Sequence, residues 1–111
     1  MPDPLDRTFH ALSDATRRAI IERLVRSPAS VSDLARPFDM ALPSLLQHLG
    51  VLESAGIVHS TKVGRVRTYQ LAPDALTLAT QWLTQQRLPA ERRLDRLGTY
   101  LTRQSKRSRS T

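Results

Sequence analysis

Ser44, Gln47 and His48 place a hydroxyl, a carboxamide and an imidazole within five residues. A carboxamide donates and accepts at once, which matches the N6/N7 edge of adenine. A hydroxyl bonds a base edge or a phosphate, and an imidazole donates to a phosphate as a cation or as a neutral tautomer. Further along, Lys62, Arg65 and Arg67 bring three positive charges into a stretch, 54–73, that contains no acid. Each of these side chains is able to neutralise a phosphate, and Arg65 is long enough to enter a minor groove. The same residues also admit plainer readings: a solvated helix face, a packed surface imidazole, and a charged hairpin that keeps a strand edge from pairing.

Other chemistry finds little support. His10, His48 and His59 share no metal-ligand spacing, Asp3, Asp6, Asp14, Asp33 and Asp39 are scattered, and there is no cysteine. A metal site, a disulfide and a thiol switch are therefore not expected. No nucleophile signature, phosphate-cradling glycine loop or paired acids occur, so neither an enzyme nor a cofactor is expected. No run approaches 18 apolar residues and Met1-Pro2-Asp3-Pro4 does not resemble a signal peptide; the expectation is a cytoplasmic protein without a membrane partner. The net charge is +7, but Arg103, Lys106, Arg107 and Arg109 crowd the last nine residues. The rest of the chain is only mildly basic, so the position of its charge matters more than the total.

The elements that must hold these residues follow from periodicity. Leu5, Phe9 and Leu12 predict a short amphipathic helix after Asp3-Pro4. Ser13-Asp14 interrupts it and can cap a second, about Ala15 to Arg26, with Ile20, Ile21, Leu24 and Val25 inward and Arg17, Arg18, Glu22, Arg23 and Arg26 mostly on the wet side. Ser27-Pro28-Ala29 stops it. Ser30 opens a third helix, Val31 to Arg36, closed by Pro37, with Phe38 plugging the next junction. A fourth runs from Leu42 to about Ala55. Leu42, Leu45, Leu49 and Leu52 form its buried stripe, Pro43, Gln47, Gly50, Val51 and Ser54 point away, and Ser44, Leu46 and His48 flank it. Leu46 is assigned to the core, with contact to a thymine methyl as the alternative. Gly56 ends this helix, and Ile57 to Lys62 and Val66 to Leu71 form a hairpin around Val63-Gly64-Arg65, with Tyr69 and Leu71 reaching the core. A fifth helix spans about Asp74 to Arg87 with Leu76, Ala79, Trp82 and Leu83 on its apolar face, and a further apolar stripe of Leu94, Leu97 and Leu101 follows Pro89.

A short helix, a turn, a second helix and a basic hairpin describe a winged helix-turn-helix, mainly α, with five or six helices and a two-stranded wing. Residues 1–102 form the expected DNA-binding and dimerisation domain and 103–111 a basic, disordered tail. Pro43, Ser44, Gln47, His48, Lys62, Arg65 and Arg67 are the expected DNA contacts.

Leu12-Ser13-Asp14-Ala15-Thr16-Arg17-Arg18, Gln47-His48-Leu49, Val51-Leu52-Glu53, Ala55-Gly56-Ile57-Val58 and Gly64-Arg65 together resemble the ArsR/SmtB family of bacterial winged-helix repressors, over about Leu5 to Leu83. That resemblance implies a homodimer formed by the first and fifth helices, through Leu5, Phe9, Leu12, Leu76, Ala79, Trp82 and Leu83. It also implies a palindromic duplex site whose halves lie about one turn, roughly 34 Å, apart, read by a regulator acting on the bacterial nucleoid. Leu34 and Ala35 stand where metal-sensing members carry cysteine, so the chain resembles the subgroup without metal ligands. Ala41 replaces a frequent capping Ser, Leu46 a frequent Ser, and Ala90 a frequent Trp. The expected function is a metal-independent dimeric repressor. A repressor gated by an unrecognised ligand or metal site, and a winged-helix protein-interaction module, stay open as alternatives.

Overall fold

Asp3, Asp14 and Ser30 each begin a helix. Their side-chain oxygens accept from the amides of Asp6 at 2.8 Å, Arg17 at 3.1 Å and Asp33 at 3.2 Å, satisfying donors that a helix N-terminus otherwise leaves orphaned. The computed structural model describes residues 3–86 and Gly98. Its elements are α1 (Pro4–Leu12), α2 (Ala15–Arg26), β1 (Ala29–Ser30), α3 (Val31–Ala35), α4 (Leu42–Ser54), β2 (Val58–Val63), β3 (Val66–Leu71) and α5 (Thr77–Gln85). The chain divides into two units, Met1–Thr80 and Gln81–Thr111. Of the second, Gln81 to Gln86 and Gly98 are described. The stripe after Pro89 and the basic tail lie outside the described residues.

The core of the first unit is built around α4. Leu45, Leu49 and Leu52 are fully buried, together with Ile20, Leu34 and Ile57, and each leucine so buried stabilises by about 1.5–3 kcal/mol. The helix ends where Gly56 takes φ 74°. The Ile57 amide then reaches the Leu52 carbonyl at 3.0 Å and the Gly56 amide the Glu53 carbonyl at 3.0 Å. This paired closure needs a left-handed residue, and the apolar residues on either side of it, Leu52 and Ile57, are both buried. The chain leaves α4 already aimed into β2.

The sheet is antiparallel in the order β1-β3-β2. Gly64, with φ 61°, and Arg65 form a two-residue loop between the paired Val63 and Val66, the hairpin form that favours glycine at its first loop position. Tyr69 is buried between Ala29 of β1 and Ser60 of β2. The third strand was not expected. Ala29 lies in the segment read only as a helix stop, and a two-residue strand leaves no alternation to detect.

Several sequence expectations are corrected. At about 100° per residue, Arg17, Ile20, Ile21 and Leu24 share one arc of α2, whereas Val25 falls outside it. Val25 is accordingly 69% exposed and Arg17 is buried at 8%, reversing both assignments. Leu42 is 52% exposed because it is the first residue of α4 and the buried leucines begin a turn later. Leu46 is 43% exposed and not core; it lies about a quarter-turn from the buried line. In α1 the buried residues are Thr8 and Ala11, with the Thr8 hydroxyl donating to the Pro4 carbonyl at 3.0 Å, while Leu5, Phe9 and Leu12 are half-buried. α5 starts later than expected, at Thr77, after turns over 73–76. Among the described residues no helix is long and apolar enough to cross a membrane.

Ala41 occupies the N-cap of α4 with extended backbone (φ −65°, ψ 145°) and makes no side-chain capping bond. Ala41→Ser is expected to stabilise the fold by about 1 kcal/mol, visible as a higher melting temperature. An unchanged or lower value would contradict this helix start.

Candidate nucleic-acid interface

The buried leucines fix how α4 is rotated. With Leu45, Leu49 and Leu52 inward, Pro43, Ser44, Gln47 and Gly50 are exposed. Two of the expected polar contacts, Ser44 and Gln47, thus stand on the solvent side of the second helix of the helix-turn-helix.

His48 is placed differently. It is half-buried, and its Nδ1 lies 3.2 Å from Arg17 Nη1 and 3.8 Å from Asp14 Oδ2. A guanidinium only donates, so Nδ1 accepts from Arg17, and the neutral ring then carries its proton on Nε2. That tautomer retains a donor suited to phosphate. Asp14 lies close by, its carboxyl held below the ordinary 3.8 chiefly because it accepts the Arg17 amide. Desolvation opposes this, and the Arg17 charge adds to it. A lowered carboxyl stabilises the fold fully above its ordinary value, and the contribution fades as pH falls through the lowered one.

Arg17 is the residue that sequence reasoning missed. Its Nε donates to the Ala11 carbonyl at 2.8 Å and its Nη2 to the His10 carbonyl at 3.0 Å, while Arg18 Nη1 donates to the Leu12 carbonyl at 2.8 Å. The two arginines therefore close the C-terminal end of α1, where orphan carbonyls and the helix dipole both favour cations. Arg17 also reaches α4, tying the first three long helices together at one side chain. Two signals were present in the sequence: its place on the Ile20–Leu24 arc, and the absence of a glycine after Leu12 to cap α1.

On the wing, Lys62 and Arg67 are directly opposite each other across β2 and β3. Like charges so placed are destabilising. Arg67 turns toward Ser60, donating to Oγ at 2.7 Å, and Ser60 donates in turn to Glu53 of α4 at 3.0 Å. This chain links the wing to the end of α4. Among the described residues Lys62, Arg65 and Arg67 form no ion pair. A cleft of about 210 Å³ beside the loop is lined by Ser30, Val31, Ser32, Arg65, Val66 and Arg67.

The structure thus brings Pro43, Ser44 and Gln47 onto one exposed face of α4 and groups Lys62, Arg65 and Arg67 on the hairpin. It turns His48 toward the α1–α2 junction. Of the expected dimer residues, Leu5, Phe9 and Leu12 are half-buried, Leu76, Trp82 and Leu83 are exposed, and Ala79 is buried within its own chain. Among the described residues no group of three or more His, Cys, Asp or Glu is placed to hold a metal ion.

A helix, turn, helix and wing with an outward second helix define a winged helix-turn-helix, and a helix-turn-helix domain model matches residues 12–61. The crystal structure of the ArsR family transcriptional regulator RHA00566 is 48% identical, with a TM-score of 0.73, covering 78% of this chain and 89% of that one. The HTH-type transcriptional regulator Rv2034 of Mycobacterium tuberculosis is 46% identical over 71 residues, covering 64% of this chain; the match spans 66% of that protein's own length. The transcriptional repressor SdpR of Bacillus subtilis is 29% identical over 79 residues, 71% of this chain and 88% of that protein. The chain belongs to the ArsR family of winged helix-turn-helix transcriptional regulators.

Arg17→Ala is expected to lower stability by roughly 2–3 kcal/mol, because it strips a charged donor from buried acceptors. The urea midpoint should fall with an unchanged slope, and a shift within error would remove Arg17 from this role. Lys62→Thr is expected to raise stability by roughly 0.2–1 kcal/mol at low salt, with the gain shrinking as salt screens the pair. A less stable variant would contradict repulsion across the hairpin.

Proposed function

We propose that this chain is a metal-independent repressor that acts as a homodimer, placing its two α4 helices in successive major grooves of a palindromic duplex site. Such a dimer works in the bacterial cytoplasm, on the nucleoid, with residues 1–102 as the DNA-binding and dimerisation domain and 103–111 as a basic tail. The observation that carries this reading is the exposed polar face of α4 beside a hairpin whose cations form no ion pair among the described residues. Recognition helices enter the major groove with their N-terminal residues at base edges, and that half of α4 holds Pro43, Ser44 and Gln47. Gln47 reads adenine, Ser44 bonds a base edge or phosphate, and His48 donates Nε2–H to a phosphate. Lys62, Arg65 and Arg67 neutralise phosphates beside them.

Dimerisation is supported by apolar surface. α1 leaves Leu5, Phe9 and Leu12 only half-covered, Leu76 in the turn before α5 is exposed, and α5, taken by itself, exposes Leu78, Trp82 and Leu83, with Trp82 at 42% and Leu83 at 55%. Apolar residues clustered on one short helix suit a protein contact, and a two-fold partner gives the palindromic symmetry of the site. Repression follows the relative SdpR, itself a repressor.

Arg65 stands at the hairpin tip, fully available to a phosphate. Arg65→Ala is expected to weaken binding to every duplex alike and to flatten the slope of log affinity against log salt by about 0.9, one phosphate's worth. A shift assay on a duplex selected from genomic fragments, run over a salt series, measures both quantities. Equal slopes for parent and variant would refute the contact, and no salt-dependent shift with any duplex would favour a protein-interaction module instead.

A further inference from the structure

The solvent side of α4 holds more than polar residues. Leu42 and Leu46 are 52% and 43% exposed, one turn apart, and side chains at i and i+4 are neighbours on a helix surface. With Pro43 they form an apolar edge along the N-terminal half of α4, directly beside Gln47. One turn further along the same edge is Gly50, which is exposed. A Cβ built there would meet nothing within 4 Å among the described residues. Its φ is not positive either, so the fold itself gives no reason for glycine, the least favourable interior helix residue after proline. Two large exposed leucines followed by a bare patch fit a body that lies against this edge and comes nearest at Gly50.

We propose that Leu46, flanked by Leu42, reads the 5-methyl group of thymine in the major groove, and that Gly50 lets the groove wall approach the helix. This rests on the DNA-binding reading above and names the bases that reading leaves open. Thymine alone presents a methyl group in the major groove, and apolar side chains contact it there. Gln47, adjacent on the helix, suits adenine through a bidentate amide contact. An apolar reader beside an adenine reader makes the half-site a run of A·T pairs in which thymine and adenine fall on neighbouring steps. The occupant is DNA because this edge belongs to the N-terminal half of the helix-turn-helix's second helix, the part that meets base edges, and a cationic hairpin is linked to the other end of that helix through Glu53, Ser60 and Arg67.

The test replaces each thymine of the selected duplex singly by uracil, which removes the methyl and keeps the pairing, and measures affinity for the parent chain and for Leu46→Ala. The parent is expected to lose about fourfold at one or two thymines per half-site, the worth of one buried methyl. Leu46→Ala, at an exposed helix position that accepts alanine, is expected to bind more weakly and to be indifferent to uracil at those same positions. Specific binding by the parent that is indifferent to uracil everywhere, or a uracil penalty that survives in Leu46→Ala, overturns the proposal and leaves the DNA-binding reading standing. Failure to retain any duplex specifically overturns both. A changed oligomeric state of Leu46→Ala without DNA would assign these leucines to a second copy of the chain and overturn it too. As an independent measure, Gly50→Ala is expected to raise the melting temperature while weakening duplex binding at least fivefold; unchanged affinity contradicts the close approach.

Discussion

Three leucines on one side of α4 govern the rest of this molecule. Leu45, Leu49 and Leu52 are each fully buried, together with Ile20, Leu34 and Ile57, so rotating the helix by even a quarter-turn would expose at least one of them. At about 1.5–3 kcal/mol per buried side chain, that is a substantial fraction of the roughly 5–15 kcal/mol by which a small domain is stable. Everything on the opposite side is outward as a consequence. The orientation of Pro43, Ser44 and Gln47 is therefore imposed by packing that they take no part in. The Gly56 closure carries the same constraint into the sheet, because it seats Ile57 in the core and starts β2 from a fixed point. The wing inherits its place from the helix before it.

A second constraint comes from the other direction. Arg17 closes α1, belongs to the first turn of α2 and donates to His48 of α4. A buried cation is costly unless its donors are used, and here its three donating nitrogens meet three acceptors. The side chain couples a helix with half-covered apolar residues to the helix with the exposed polar face. The Lys62–Arg67 pair follows the opposite logic. Two like charges stand directly opposite across the hairpin, and Arg67 turns aside to Ser60, which donates to Glu53.

Much of this was legible in the residues. The caps of α2 and α3, the α2 and α4 boundaries, the two glycines with positive φ and the pairing of β2 with β3 follow from local chemistry that acts over a few residues. What was misjudged depends on where the core stops. Leu42 and Leu46 belong to a leucine-rich helix, and hydropathy alone cannot distinguish a leucine over the core from one beyond its edge. Arg17 was assigned to water by its charge although its position on the α2 arc pointed inward. Strand β1 was missed because two residues show no period. Within the candidate site, Gln47 and Ser44 were read from periodicity and Lys62, Arg65 and Arg67 from the loop they flank. The engagement of His48 with Asp14 and Arg17 depends on contacts 31 to 34 positions apart, beyond any local pattern.

We assign the face of α4 opposite its leucines, together with the hairpin, to contact with duplex DNA. Amide resonances of the isotopically labelled chain, followed as a selected duplex is added, test it most directly. The largest changes are expected at Ser44, Gln47, Gly50 and Lys62 to Arg67, with Glu22 and Arg26 of α2 nearly unmoved. Changes centred on α2, or none on α4 while the duplex is bound, would contradict it.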